Sequence, residues 1–257
     1  MLIDLFVFLL GTVVAAALVH MIEKRHPRAL FRAQCRNCTL PIKGHHAIPV
    51  ISWVWLRGRC RNCRRLIPSI YPVLEMVGGL LFLLVWWKHG EVLLSSWSEL
   101  IPLARTLVFT AILFAILLFT LFHRAVPKSL TVTTIGVALM LNAVILQGIF
   151  DPLTSVVGLV LGMVVLGVFF LLQFLLSKGR WMGRDDIWFG ILVGAMFSFT
   201  GGVFVLVLAY ILAFFVAAVL LASGIAERRI APTFGTFLAI AGLAVLLTNT
   251  QMLSSLL

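Results

Sequence analysis

The sequence predicts an all-α polytopic membrane protein with about eight transmembrane helices and a cytosolic polar loop after the first. Three observations predict it. Hydrophobic residues make up 62% of the 257 and charged residues only 11%, where a soluble domain carries about 25% charged residues. Mean hydropathy is +1.14, and the apolar residues gather into runs long enough to cross a bilayer at 1.5 Å rise per residue. Finally, eleven of the 20 Lys and Arg lie between Lys24 and Arg65, and most others sit in short gaps between apolar runs. A net charge of +11 distributed in this way is a topology signal, and no nucleic-acid partner is expected.

The first apolar run is Leu5–Ile22. Its acidic head (Asp4), with no small-residue cleavage site before the basic stretch, reads as a retained span and not a cleaved signal peptide. The polar loop follows. A second span runs over Pro72–Trp87, with Glu75 near its start and the tandem Trp86-Trp87 as an interfacial belt. The next three are expected over Leu107–Phe122, Leu130–Leu146 and Ser155–Leu176, the last two separated by Asp151-Pro152. Beyond the polar stretch Lys178–Asp186 come Ile187–Phe199 and Val203–Ala222, with Gly201-Gly202 between them, and then Phe234–Leu247. The expected division is a first helix over 1–22, a polar loop over 23–71 and a seven-helix membrane domain over 72–257.

Orientation follows from the basic residues. Eighteen of the 20 fall in the loops after spans one, three, five and seven; only Lys88 and Arg105 fall on the other side. This positive-inside bias puts the polar loop in the cytosol and both termini outside. The loop reads CRNC at Cys35–Cys38 and again at Cys60–Cys63. Two such turns can complete a tetrahedral four-sulfur shell for zinc, and neighbouring arginines favour the thiolate. Disulfides and idle thiols are the alternatives; a reducing compartment disfavours the first. With Cys35, Cys38, Cys60 and Cys63 as ligands the shell is closed, so the metal would be structural. His45-His46 is a further metal candidate, better read as part of a solvated loop.

The stretch IPVISWVWLRGRC at Ile48–Cys60, continuing through RNC to IYPVLEM at Ile70–Met76, strongly resembles the type IV prepilin peptidase family. That resemblance implies a membrane aspartic protease with eight spans and a cytosolic zinc-binding loop in the bacterial inner membrane. It would remove the leaders of type IV prepilins or pseudopilins. In many members the same polypeptide methylates the new N-terminus, which would bring S-adenosylmethionine as cofactor. The family uses two aspartates at the cytosolic mouth of the membrane, dividing general-base and general-acid work.

The second of these lies in a G-x-G-D motif, matched here by Gly183-Arg184-Asp185-Asp186. Asp186 takes the place of the aspartate. Asp185 stands where a glycine is expected, which would put a Cβ into a tight turn, and Trp188 replaces a family lysine. The first aspartate lies seven residues before the Pro of a Leu-Pro-Asp-x-Leu-Thr-like stretch, seen here as Val126–Thr131; counting back from Pro127 lands on Thr120. A threonine cannot act as a carboxylate base. Lys128 fills the place of the acid after the Pro, and a Gly-Ser-Phe-Leu-Asn motif survives only as Gly11-Thr12, with Ala15 near the Asn place.

Each candidate also has a plain structural reading. Asp185 and Asp186 suit a helix N-terminus, where acids cap free N–H groups, and this stands beside a catalytic role for Asp186. As an auxiliary acid, Asp185 is poorly aimed, since helix neighbours point about 100° apart. Glu75 is an intramembrane carboxylate, expensive and often functional, although near a span end it can snorkel or pair with a loop arginine. His123 is a candidate base or an ordinary interfacial residue. The expected function is leader cleavage of membrane-inserted prepilins. The alternative is a catalytically inactive zinc-loop scaffold for pilus assembly or secretion. A transporter finds little support in spans with few ionisable residues.

Overall fold

In hydrocarbon a helix satisfies every backbone N–H and C=O within one segment, and the apolar runs take that solution. The computed structural model describes residues 2–23, 51–60, 62–64, 66, 68–89, 100–123, 126–146, 152–180, 182–223 and 233–248. Among them the helices are α1 (Leu2–Glu23), α2 (Ile51–Trp55), α3 (Ile70–His89), α4 (Leu100–His123), α5 (Lys128–Leu146), α6 (Pro152–Ser177), α7 (Arg184–Ala222) and α8 (Phe234–Leu247). Five of these, α1, α3, α4, α6 and α7, are long and apolar enough to cross a membrane among the described residues. Pro152 opens α6 at the first helical position, where its missing N–H costs nothing.

The chain divides into two compact units, residues 1–95 and 96–257. In the first, α3, expected to begin the larger membrane domain, packs on α1. A Cβ on Gly11 would lie 2.9 Å from Gly79 Cα, so the two backbones touch there. At the other end of the contact the Trp86 indole N–H donates to Asp4 Oδ1 at 3.1 Å. Trp86 therefore ties the helices together, while Trp87 is exposed as a belt residue should be.

The second unit holds α4 to α8. Helix α4 begins at Leu100, a full turn and more before the expected Leu107. The charge of Arg105 interrupts the hydropathy run but not the helix, because the guanidinium is partnered: its Nη1 donates to Asn142 Oδ1 at 3.0 Å. Pro102 sits in the first turn, where proline is tolerated.

The largest departure from expectation is in α7. The sequence places a break at Gly201-Gly202; both are helical, and the break is at Ser198 (φ 60°, ψ −168°). A Cβ on Gly202 would lie 3.7 Å from Gly194 Cα, whereas eight residues of continuous helix span about 12 Å. The chain thus reverses at Ser198, and the arms 184–197 and 199–222 lie side by side. The glycines here serve the contact and not the turn. A Cβ on Gly194 would meet the Gly162 backbone at 2.4 Å, and one on Gly162 would meet that of Ser198 at 2.6 Å. Ser198 holds a conformation otherwise left to glycine, at a cost of about 1–3 kcal/mol.

A reversal leaves carbonyls of the preceding turn without their helical donors. Asn142 on α5 answers one of them, its Nδ2 donating to Ala195 O at 2.7 Å while Arg105 holds its other end. Replacing Asn142 by Leu should therefore destabilise the second unit by about 1–3 kcal/mol, the cost of an unmade buried hydrogen bond. Unfolding in detergent measures it; an unchanged midpoint would mean that Ala195 O finds another donor.

Candidate active site

Asp186 lies in the first turn of α7, buried at 9% exposure. Its Oδ2 accepts the Gly183 N–H at 2.9 Å, and its own N–H donates to Gly183 O at 3.3 Å. The carboxylate therefore closes the helix start, as an acid at this position should. The pair of bonds also fixes its rotamer. Asp185, half-buried, occupies an ordinary helical position one residue earlier. The strained tight turn expected at Asp185 is not there: the positive φ angles of this connection are at Lys178 (50°) and Gly179 (75°). Arg184 stacks on Phe174 with 5.9 Å to the ring centroid, and Trp188 is exposed.

Thr120 is near the end of α4, 5% exposed, with its hydroxyl donated to Leu117 O at 2.9 Å. It meets α7 across the first turn of α8. A Cβ on Gly235 would lie 2.8 Å from the Phe189 ring and 3.4 Å from Thr120 Cγ2. Phe189 is one turn beyond Asp186 on the same face of α7. Thr120 and the Asp186 turn thus flank α8, whose own start carries the hydroxyl pair Thr233–Thr236 at 3.2 Å. Below them a cavity of about 10 Å³ lies between α4, α7 and α8, lined by Leu113, Phe189, Leu192 and Leu238 among others.

The other candidates fall elsewhere. Lys128 is exposed at the start of α5, where Pro127 O accepts the N–H groups of Leu130 and Thr131. His123 is exposed at the end of α4, its ring 6.0 Å from Phe119. Gly11, Thr12 and Ala15 are all buried on α1, and the Thr12 hydroxyl bonds Leu9 O of its own helix. Glu75 is half-buried in the second turn of α3, within the first unit.

Of the four cysteines, Cys60 is buried and Cys63 half-buried. Arg64 N–H donates to Cys60 O at 2.9 Å, and an antiparallel bridge joins Arg59 to Leu66 around the turn. Such a pinned C-x-x-C turn fits half of a four-sulfur shell. Cys35, Cys38 and His45-His46 lie outside the described residues.

Two functional candidates escaped the sequence reading, Gln173 and Tyr210, hydrogen-bonded to each other at 2.7 Å. The signal was available: polar side chains inside apolar runs, and one of only two tyrosines in the chain.

Residues 9–89 match the Bacterial Peptidase A24 N-terminal domain. The chain is 31% identical to a prepilin leader peptidase/N-methyltransferase of Aeromonas salmonicida, over 88% of this chain and 74% of that one. It belongs to that family. A prepilin leader peptidase/N-methyltransferase of Stutzerimonas stutzeri is 32% identical over 87% of this chain and 74% of its own. One of Neisseria gonorrhoeae is 34% identical over 59% and 50%. No solved structure matches. In this member of the prepilin leader peptidase/N-methyltransferase family, Asp186 and Thr120 lie on α7 and α4 near the start of α8, the carboxylate bonded to the Gly183 N–H and the hydroxyl to Leu117 O.

Proposed function

We propose that the chain is a membrane endopeptidase of the aspartic type, acting on membrane-inserted prepilins or pseudopilins with basic leaders, and that Asp186 is its catalytic carboxylate. The observation that supports this is a buried, rotamer-fixed carboxylate at the start of a membrane helix in a chain of this family. Ionised, Asp186 takes a proton from the attacking water; protonated, it returns one to the leaving amine. Thr120 can donate or accept a hydrogen bond but cannot carry charge, so one group performs both tasks and cleavage is slow. Co-expression with a prepilin tests the assignment through the mass shift of leader loss. Cleavage that survives Asp186→Asn unchanged would remove Asp186 from the role and turn attention to Glu75 and Asp185.

A second reading, a non-cleaving scaffold that binds pilins or assembly proteins, is favoured by Thr120, whose hydroxyl is already committed to Leu117 O. It predicts a prepilin that co-purifies uncut. For N-methylation, S-adenosylmethionine is the candidate cofactor.

The remaining proposals concern the bilayer. Counting the arms of α7 as two spans, eight segments cross the inner membrane, and the cysteine loop faces the cytosol. A membrane-impermeant thiol reagent applied to intact cells should miss Cys60 and Cys63; labelling from outside would reverse the orientation. Cys35, Cys38, Cys60 and Cys63 would hold one structural zinc, which supplies folding energy to the loop and takes no part in chemistry. Protein purified without chelator should carry about one zinc per chain, and Cys60→Ser should lower that content while the membrane helices still insert. Metal-free wild-type protein would rule the site out.

A further inference from the structure

Gln173 and Tyr210 are two polar side chains inside the helical bundle that cleavage by Asp186 leaves unused. Tyr210, on the second arm of α7, donates its hydroxyl to Gln173 Oε1 on α6 at 2.7 Å. Their level in the bundle follows from the packing register. On α6, Gly162 opposes Ser198 and Gly194, and Phe170 opposes Gly190, so numbers on the first arm of α7 fall as those on α6 rise. One further turn sets Gln173 opposite residues 185–187, the turn that carries Asp186. On the second arm Leu166 opposes Gly202 and Gln173 opposes Tyr210, the parallel register.

Three polar side chains from three helical segments thus share one layer. Aromatic rings bound it: Phe234 lies 4.8 Å from Tyr210 and 5.7 Å from Phe170, centroid to centroid. Phe234 is also the residue before Gly235, the contact point of Thr120 and Phe189. A Tyr–Gln bond that only pinned α6 to its neighbour would serve equally well in any layer; this one shares the layer of the candidate carboxylate. Both side chains are half-buried, which leaves them open to a partner.

We propose that Gln173, oriented by Tyr210, holds the backbone of the substrate polypeptide alongside Asp186; this rests on the peptidase reading. The chemistry is that of one amide meeting another. Tyr210 occupies the Gln173 oxygen, which leaves the amide NH₂ to donate, and an extended polypeptide offers a carbonyl acceptor at every residue. In a water-poor layer such a bond counts for more than at the surface. Gln173 and Tyr210 are positioning residues: they fix where the chain lies and move no proton.

The test uses the full chain in detergent and a fluorescent synthetic peptide with a basic leader, the cleavage site and the first apolar residues of a prepilin. Affinity is read by anisotropy. Gln173→Leu should bind about tenfold more weakly, and Tyr210→Phe a few-fold more weakly. A second series replaces single backbone amides of the peptide by esters, which weakens the carbonyl acceptor. At one position the ester should cost affinity on the wild type and nothing on Gln173→Leu, a coupling that a packing role would not create. Tyr210→Phe, which keeps the ring, carries the same comparison where Gln173→Leu does not fold. A wild-type chain that ignores the peptide overturns the peptidase reading and this inference with it. A peptide that binds with Gln173→Leu equal to wild type, or with every ester purely additive, overturns this inference alone.

Discussion

Thr120→Asp should raise the rate of prepilin cleavage about 10²–10⁴-fold over the unmodified chain, the contribution of one general acid–base group. That range corresponds to about 3–5 kcal/mol of barrier. The position can accept the change. Thr120 and Asp are close in size, and the space beyond Thr120 Cγ2 is bounded by Gly235, which has no side chain to clash. The new carboxyl would replace a hydroxyl bonded to its own helix at Leu117 O and share a proton with Asp186, the division of labour used by carboxyl pairs. Asp186→Asn in the same background should return the rate to background. A Thr120→Asp protein that folds, inserts and cleaves no faster would show that the two positions do not converge on one peptide. Asp185→Gly is not expected to help, because Asp185 is an unstrained helical residue and glycine there would weaken the turn that aims Asp186.

Gly194→Val should be the most damaging single change to the fold. The first added carbon would already lie 2.4 Å from the Gly162 carbonyl carbon and 2.5 Å from its oxygen. Those atoms are backbone and cannot rotate away, so α6 and α7 must separate. Separation undoes the contacts that bracket the Ser198 reversal, and the loss should exceed about 4 kcal/mol, at the severe end for point changes. The expected result is loss of the full-length protein from membranes, with no detergent-stable fraction recovered. Gly136→Ala is the control: nothing lies within 4 Å of a Cβ there, and expression should match wild type. Normal yield of Gly194→Val would mean that the two backbones do not approach this closely in the membrane.

The helical, membrane-crossing character was legible because hydropathy needs no tertiary information. Runs such as Leu5–Ile22 and Phe234–Leu247 appear within a few residues of where they were read. Boundaries failed where a polar residue was satisfied by a distant partner. Arg105 looked like a loop residue until Asn142 supplied its hydrogen bond, and no local pattern encodes that pairing. The break in α7 was read from glycine, the usual punctuation, yet glycine at 201 and 202 is helical while Ser198 turns the chain. The candidate site divides in the same way. Asp186 stood out through a local motif, and its bond to Gly183 is equally local. The layer that joins it to Gln173 and Tyr210 depends on the register between α6 and the two arms of α7, which exists only after the chain has folded back.

The two arms of α7 differ in length, and that inequality bears on where water can go. Buried residues of α7 stop at Ala209, and with Tyr210 level with Gln173, the end of α6 at Ser177 falls opposite about residue 213. Residues 214–222 continue for about 13 Å beyond it. Phe214, Phe215, Val219 and Leu221 on that overhang are 61–70% exposed, so they belong in lipid. Lipid packed on that overhang would run along the flank of the layer that carries Asp186. If the proposed hydrolysis takes place there, its water would have to enter from another side, and the rate would then respond to membrane thickness and lipid composition.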